Sequence, residues 1–491
     1  MSAQNRPNLL LICTDQQRFD TLGCYGNQYV ETPTLDRLAS EGVLFENCYV
    51  QNPICSPSRA SLMTGRYVHS HGLWTNGNTI PDHEELFTQT LADNGYDCGL
   101  IGKLHLSPAF GGRTEKRLND GFRYFQWAHD PSQGSPDNMY HQWLREHHPE
   151  LYAQAIADSG HSEGLHEAVL FDKMPTEAHY SHWAAEKAIE FLTSARAPDK
   201  PFFLWVNFFD PHHPFVAPQE YLDRYDPAQL PRPIKASAST APKPPIFQAA
   251  SRESYAGHAR GFVDHTPEEI QQIVAAYYAM VTLIDDKVSR ILEQIKLLGL
   301  ENDTVVVFTS DHGEMLGDHG VLLKGPILSE GAVRVPLIMR WPGHLPAGER
   351  RHELVQLMDL CPTFLEAASL APLPRNQAAS ILPVARGNSE SSPRDWVLCE
   401  YRNSVYARDY NPPQHVTMLR KGAFKLVVYH GMPASGQPRT GELYDLAADP
   451  QELNNLWGDP AHRTLRTELQ EFLLDVLVAT EDRSQPIEAD W

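Results

Sequence analysis

The sequence predicts an α/β protein: a large, mostly parallel sheet flanked by helices, followed by a smaller C-terminal α+β domain. Three observations predict it. Continuous apolar runs of strand character recur at 8–13, 97–106, 201–215, 303–314 and 335–343, alternating with helical patterns. Polar clusters of Asp, His and Lys follow the ends of these runs, as expected where buried parallel strands open onto a binding edge. Beyond about residue 375 the composition changes, which divides the chain into 1–379 and 380–491.

"NLLLIC" (8–13) ends at Thr14-Asp15 and reads as a central strand. "TPTLDRLASEGVLFEN" (32–47) contains a helix that opens at Thr32-Pro33 and closes at Gly42. "CSPSR" (55–59) precedes the helix-like "RASLMTGRY". "DCGLIGKLHL" and "PFFLWVNFFDPHHPF" are two further apolar runs ending in polar residues. Residues 216–260, rich in Pro, Ala, Lys and Ser, form a long excursion suited to a lid or an oligomer contact. Residues 266–300 form one long helix: Thr266 caps it, Pro267 starts it, Glu269 completes a capping box and Gly299 stops it. "DTVVVFTSDHGE" and "VPLIMRWPG" supply two more strands. "LPRNQAASILPVARGNSESSPRD" (373–395) reads as a linker. A strand-like segment at 415–430 and a final helix at 463–480 complete the chain.

The 491 residues are 42% hydrophobic and 21% charged, enough for a sizeable core. A net charge of −21 argues against nucleic acid or an anionic membrane as partner. The seven cysteines are scattered without a CxxC pair, which fits a reducing compartment. The first apolar run is too short for a signal-peptide core or a membrane span, so the expected location is cytoplasmic.

Candidate chemistry gathers at strand ends. Asp15 and Gln16 follow the first strand, and Asp311 and His312 follow a late one; such donors on two strand ends can converge on one divalent cation. An Asp after a strand is more often a helix cap. Lys103, His105, His212 and Lys324 lie just past apolar runs and singly would pass for solvated surface residues. Beside a metal they supply what an anionic ester needs, charge neutralisation and proton transfer to a leaving group. Trp74, Trp127 and Trp143 read as core residues that could line a pocket.

In combination these segments resemble a known family. "CSPSRASLMTG" matches the C-x-P-S-R-x-x-x-x-T-G signature of type I sulfatases, members of the alkaline phosphatase superfamily. "TDQQRFDTLGCYGN" and "SDHGEMLGDHG" are similar to the family's two metal segments, "GKLHL" to its G-K-x-H element and "DPHHPF" to its H-x-P element. "LLKGPILSEGAVRVPLIMRWPG" resembles its late lysine segment, and "ELYDLAADPQELNNL" (442–456) its C-terminal signature. The resemblance implies an alkaline phosphatase-like fold and conversion of Cys55 to Cα-formylglycine by a formylglycine-generating enzyme. Hydration of that aldehyde gives two hydroxyls on one carbon. One attacks sulfur; the other then loses its proton and the sulfate is expelled by C–O cleavage.

The resemblance further implies that Asp15, Gln16, Asp311 and His312 hold one divalent metal, Ca²⁺ or Mn²⁺ with Mg²⁺ a further candidate, the Cys55-derived residue being an additional ligand. Arg59 would stabilise the hydrate, and Lys103 and Lys324 would hold sulfate oxygens. His105 would be the base that triggers release. His212, with Lys324, would protonate the leaving alcohol; His213 is the adjacent alternative. Asn78 is expected to touch substrate, with Asn76 the less favoured choice. Many family members carry Asp where this chain has Gln16 and Asn where it has His312. The Asp-Gln plus Asp-His set is similar to that of phosphonate monoester hydrolases and choline sulfatases. The expected substrate is therefore a small aryl, alkyl or sugar sulfate; the alternatives are a phosphonate monoester or phosphodiester hydrolase, and a catalytically silent member. A homo-oligomer is a further expectation.

Overall fold

The computed structural model describes residues 6–482 apart from 110, 160–173, 236–242, 258, 389–393, 405–409, 432–435 and 437. Its strands are β1 (Asn8–Thr14), β2 (Val43–Tyr49), β3 (Asp97–Gly102), β4 (Tyr124–Trp127), β5 (Phe202–Phe208), the two-residue β6 (Glu253–Ser254) and β7 (Ala259–Arg260), β8 (Thr304–Ser310), β9 (Arg334–Arg340), β10 (Glu349–Gln356), β11 (Trp396–Arg402), β12 (His415–Lys421), β13 (Phe424–Tyr429) and β14 (Thr440–Asp445). The main sheet has eight strands in the order β10-β2-β9-β8-β1-β5-β3-β4. β9 alone runs against its neighbours. The central strands β1, β5 and β8 are buried along their whole length, which is why they read as unbroken apolar runs.

Three of the eight strands have no counterpart among the apolar runs: β2, β10 and the four-residue β4, Tyr124–Trp127, too short for a run of its own. β2 follows directly on the Pro33–Ser40 helix, where "VLFENCY" was merged with the helical pattern. β10, "ERRHELVQ", lies at the sheet edge, and its first half is largely exposed and charged. Charged edge strands of this kind resist pairing with other chains and carry no apolar signal. The long helix is as expected: Pro267–Leu297, with Thr266 and Glu269 forming the capping box.

β11 to β14 form a four-stranded antiparallel sheet in sequential order, backed by the Arg463–Ala479 helix. Leu398, Leu419, Leu426 and Leu443 pack with Leu469, Leu473 and Val476 of that helix in a second, smaller core that also takes in Tyr67 and Met358. The linker reading of 373–395 is corrected in its middle. Ile381 and the Leu382–Ala385 helix carry buried apolar side chains that pack into the main core; residues 389–393 lie outside the described residues. No helix among the described residues is long and apolar enough to cross a membrane.

Candidate active site

Four adjacent parallel strands, β8, β1, β5 and β3, point their C-terminal ends at one place. Asp311-His312, Asp15-Gln16, Asp210 to His213 and Lys103 to His105 leave those four ends. Because β9 is antiparallel, the whole β8–β9 connection stays on the same edge, and Lys324 returns to the cluster. Cys55 begins the Cys55–Thr64 helix, so its side chain enters from the first turn and Arg59 follows one turn later.

Asp15, Cys55, Asp311 and His312 each present a ligand atom, all within 4.8 Å of one another, and all four are buried. Cys55 Sγ lies 3.2 Å from His312 Nε2 and 3.7 Å from Asp15 Oδ1. Lys324 Nζ lies 3.1 Å from Cys55 Sγ and 3.0 Å from His312 Nε2. His312 Nδ1 faces the Gly313 carbonyl at 3.0 Å, an arrangement that puts the proton on Nδ1 and leaves the Nε2 lone pair facing the cluster. Gln16 brings its side-chain Oε1 into the interior with no hydrogen-bond partner, an orphaned acceptor of the kind a cation satisfies. Two carboxylates, an amide oxygen and an imidazole make a mainly hard donor set, which fits Ca²⁺, Mn²⁺ or Mg²⁺.

Arg59 is fully buried. Its Nε donates to Asp311 Oδ2 at 2.8 Å, and Nη1 donates to the Lys103 carbonyl at 2.7 Å and to Asn207 Oδ1 at 2.8 Å. Its Nη2 makes no hydrogen bond, although it stands 3.6 Å from Asp15 Oδ2. Lys103 Nζ donates to Asp15 Oδ2 at 2.6 Å. Against the burial that would raise it, Lys103, His212, Lys324 and Arg59 hold the Asp15 carboxyl well below its usual range. Burial and Asp15 push the Cys55 thiol up, but Lys103, Lys324 and His312 outweigh them and bring it down to about 7. The centre is a positive well built around anionic ligands.

Backbone strain marks the same residues. Gln16 (φ 68°), His105 (φ 63°) and Leu323 (φ 64°) sit in the left-handed region that non-glycine residues avoid. Such conformations persist only where surrounding contacts hold them. Tyr277 Oη donates to the Gln16 carbonyl at 2.6 Å. Glu115 accepts the N–H groups of His105, Leu106 and Ser107.

The family model described as Sulfatase matches residues 7–370, and the one described as N-sulphoglucosamine sulphohydrolase, C-terminal, matches residues 317–479. The chain belongs to the sulfatase family. This sulfatase is 30% identical over 496 residues to an arylsulfatase of Clostridium perfringens, covering 97% of this chain and 95% of that one. It is also 30% identical over 523 residues to a multifunctional alkaline phosphatase superfamily protein of Trinickia caryophylli, covering 98% and 96%. The crystal structure of the phosphonate monoester hydrolase of Agrobacterium radiobacter aligns with a TM-score of 0.80 at 27% identity, over 98% of this chain and 97% of that one. The fold, membership of the alkaline phosphatase superfamily and a sulfuric ester hydrolase are thereby supported together.

Most of the residues singled out from the sequence converge in the sulfatase fold. His212 and His213 stack with ring centroids 4.1 Å apart; His213 Nδ1 lies 3.2 Å from Gln16 Nε2, while His212 is the more exposed. Burial first, then neighbouring positive groups, holds His105, His212 and His213 well below the usual imidazole range. The two asparagines of the turn are placed differently. Asn78 is exposed at the turn, whereas Asn76 is buried and its Oδ1 accepts the Ser56 N–H at 3.0 Å, beside Cys55. Both asparagines share one short polar motif, and only the turn decides which faces inward. Trp127 is core, donating Nε1 to Glu115 at 2.9 Å. Trp74 is half-buried beneath the Arg402 guanidinium, and Trp143 is half-buried beside Tyr140.

Sequence reading missed the residues that hold these groups. Asn207 fixes Arg59, Glu115 fixes the His105 backbone, and Glu314 accepts from Gln16 Nε2 and from the N–H groups of Leu316 and Leu323. His129 stands edge-on to His105 with ring centroids 4.4 Å apart. Each lies at or near an apolar run or motif but looks like an ordinary polar residue; only its partners give it a role.

Proposed function

We propose that this chain hydrolyses small sulfate monoesters with a formylglycine derived from Cys55 as nucleophile. The observation that carries the reading is the position of Cys55: the first residue of a helix, with its Sγ 3.1 Å from Lys324 Nζ and 3.2 Å from His312 Nε2. An unmodified thiol could form a covalent adduct with sulfate but has no second hydroxyl with which to expel it.

Asp15, Gln16, Asp311 and His312 would hold one divalent cation, Ca²⁺, Mn²⁺ or Mg²⁺; when bound it would neutralise ester oxygens and make the hydrate more acidic. The remaining roles fall to this chain's own side chains. Arg59, locked by Asp311 and Asn207, orients the hydrate through its unpaired Nη2. Lys103 and Lys324 grip sulfate oxygens. A hydrate hydroxyl forms the new S–O bond while the bond to the leaving alcohol oxygen breaks. His212, with His213 stacked behind it or Lys324 beside it, supplies that oxygen with a proton. Low imidazole basicity opposes this, and the negative charge of a bound ester counters it. His105 then removes the proton of the second hydroxyl, the C–O bond to sulfate breaks, and the aldehyde is restored for rehydration. The partner in maturation is a formylglycine-generating enzyme.

The test is chemical. In protein matured with that enzyme, alkylation of the denatured chain should label six of the seven encoded cysteines, sparing Cys55. Full alkylation of Cys55 in an active preparation would overturn the reading. A second reading, phosphonate monoester hydrolysis with the same machinery, is favoured by Gln16 and His312 and by the alignment with the Agrobacterium radiobacter enzyme. One leaving group on sulfate, phosphonate, phosphodiester and phosphate monoester decides between them. Sulfate should give the highest kcat/KM; a phosphonate monoester in first place would promote the second reading.

A further inference from the structure

The β6–β7 hairpin carries two consecutive non-glycine residues in the left-handed region, Tyr255 (φ 55°) and Ala256 (φ 54°). For a side chain as bulky as tyrosine this is a true outlier. Strain of this kind persists only where surrounding contacts over-determine it, and it clusters at active sites and ligand clamps. Here the structure does maintain it. Tyr410 Oη accepts the Ala256 N–H at 3.3 Å, and a side chain in place of Gly325, next to Lys324, would meet the same Oη at 3.3 Å. One tyrosine from the segment between β11 and β12 thus lies against both the hairpin and the Lys324 loop.

The strained turn places the Tyr255 ring among three active-site groups. Lys324 Nζ, which touches Cys55, is 5.6 Å from the ring centroid. His213 meets the ring edge-to-face at 5.6 Å and is itself stacked on His212. Asn76, whose Oδ1 accepts the Ser56 N–H, turns its Nδ2 toward Tyr255 Oη at 3.5 Å. Lys103, Lys324, Arg59 and the ligand cluster make the sulfate end of the site. Tyr255 spans from Lys324 to the imidazole pair assigned to the leaving oxygen. His212 is the less buried member of that pair, so the side on which it meets solvent is the side we assign to the alcohol.

We infer that Tyr255 is a specificity-determining residue that contacts the alcohol portion of the ester and favours alcohols bearing a six-membered ring, aryl or pyranose, over short acyclic ones. This rests on the sulfate ester chemistry proposed above. A rigid aromatic wall gives broad contact at little entropic cost to a group that presents a face or an edge of its own, and little to a flexible short chain.

Tyr255→Asn is the test variant, because asparagine tolerates the left-handed backbone and removes the ring without adding strain; Tyr255→Phe keeps the ring. Three probes are compared on the metal-loaded, matured enzyme: 4-nitrophenyl sulfate, glucosamine 6-sulfate and propyl sulfate. The last two share a primary alkoxide leaving group and differ in the ring. Tyr255→Asn should raise KM for one or both ring esters about tenfold, with kcat within about twofold and KM for propyl sulfate unchanged. Tyr255→Phe should stay within about twofold of wild type throughout. An effect on the aryl ester alone or on the pyranose alone identifies which ring the wall serves. A fall in kcat shared equally by all three probes would overturn the inference, since the ring would then serve only to place Lys324. Wild-type enzyme that hydrolyses none of the sulfates would overturn the underlying reading and this one with it.

Discussion

The β8–β9 connection contributes to two clusters of buried charge, through Asp311, His312 and Lys324 to one and through Glu330 to the other, and they are built to opposite ends. Around Cys55, charges crowd and remain partly unanswered: Arg59 Nη2, Gln16 Oε1 and His105 Nδ1 are buried without hydrogen-bond partners. Under the C-terminal sheet, Lys425 is fully buried but closed on both sides, 3.0 Å from Glu330 Oε1 and 2.8 Å from Glu452 Oε1. Glu330 also accepts from Tyr49 Oη at 2.6 Å, and Glu452 accepts the Glu330 N–H at 2.8 Å. Against its burial, Lys425, Arg334 and Arg420 hold the Glu330 carboxyl down at about 2. Lys243, from the excursion at 216–260, reaches the same region through Glu442, Tyr444 Oη and the Glu452 carbonyl. The excursion therefore packs on the chain's own C-terminal sheet. Unpaired polarity is costly and is kept where a ligand can use it; paired polarity joins elements.

The sharpest way to break the comparison is at the nucleophile. Cys55→Ala should abolish turnover of every sulfate ester while leaving the melting temperature within a few degrees of wild type, because only a small side chain is lost. Residual turnover measured with that variant at more than a trace would deny Cys55 its role.

His212→Ala should come next, lowering kcat by roughly a hundredfold to ten-thousandfold for alkyl sulfates and by much less for activated aryl sulfates. Proton donation matters most when the departing alkoxide is basic. Equal losses across a leaving-group series would reduce His212 to a positioning residue.

Lys425→Met probes the other cluster. It leaves two buried carboxylates facing each other, so unfolding in denaturant should show a loss of about 3–5 kcal/mol. Steady-state assays of the protein that remains folded should give a KM within about twofold of wild type. A large kcat defect without loss of stability would mean that the paired cluster belongs to the catalytic machinery, and the contrast between the two regions would fail.

The smallest effect is expected at His69, where the Val68–His71 helix meets the C-terminal helix. Its Nδ1 lies 2.5 Å from Glu400 Oε2 and its Nε2 2.9 Å from the Thr480 carbonyl. Both partners only accept, so both nitrogens must carry protons. Burial lowers its pKa, but the hydrogen bond and charge of Glu400 outweigh this and raise it. A raised folded-state value adds stability that is fully present below the unfolded imidazole range and is lost as pH rises through the folded value. His69→Gln should therefore cost about 1 kcal/mol near pH 6 and less near pH 9. A deficit that grows with pH in thermal melts would reverse the sign and reject the imidazolium clamp.

Much of this was legible in the chain itself. Strands β1, β5 and β8 announced themselves because both faces are buried, so almost every residue had to be apolar. β10 did not, because an edge strand can afford charge. β2 was hidden by its abrupt start after a helix. Cys55, Asp15, Asp311 and Lys103 were legible because motif residues sit at fixed offsets from strand and helix ends. Asn207, Glu314 and Tyr255 were not, since a side chain that meets its partner far along the chain leaves no local pattern, and Glu115, whose partners lie close in sequence, reads as an ordinary charged loop residue.

The α/β class, the long capped helix, the sulfatase motifs and the residues that could carry the chemistry could be read along the chain. These depend on local periodicity, caps and short spacings, which are written along the chain. That β9 turns back and returns Lys324 to Cys55, that Asn76 rather than Asn78 is buried, that the 381–385 segment is core, and that Tyr255 lies beside Lys324 and His213 emerged only from the folded chain. Those outcomes depend on which distant groups meet, and burial then selects the arrangement in which polar atoms find partners or are held ready for a ligand.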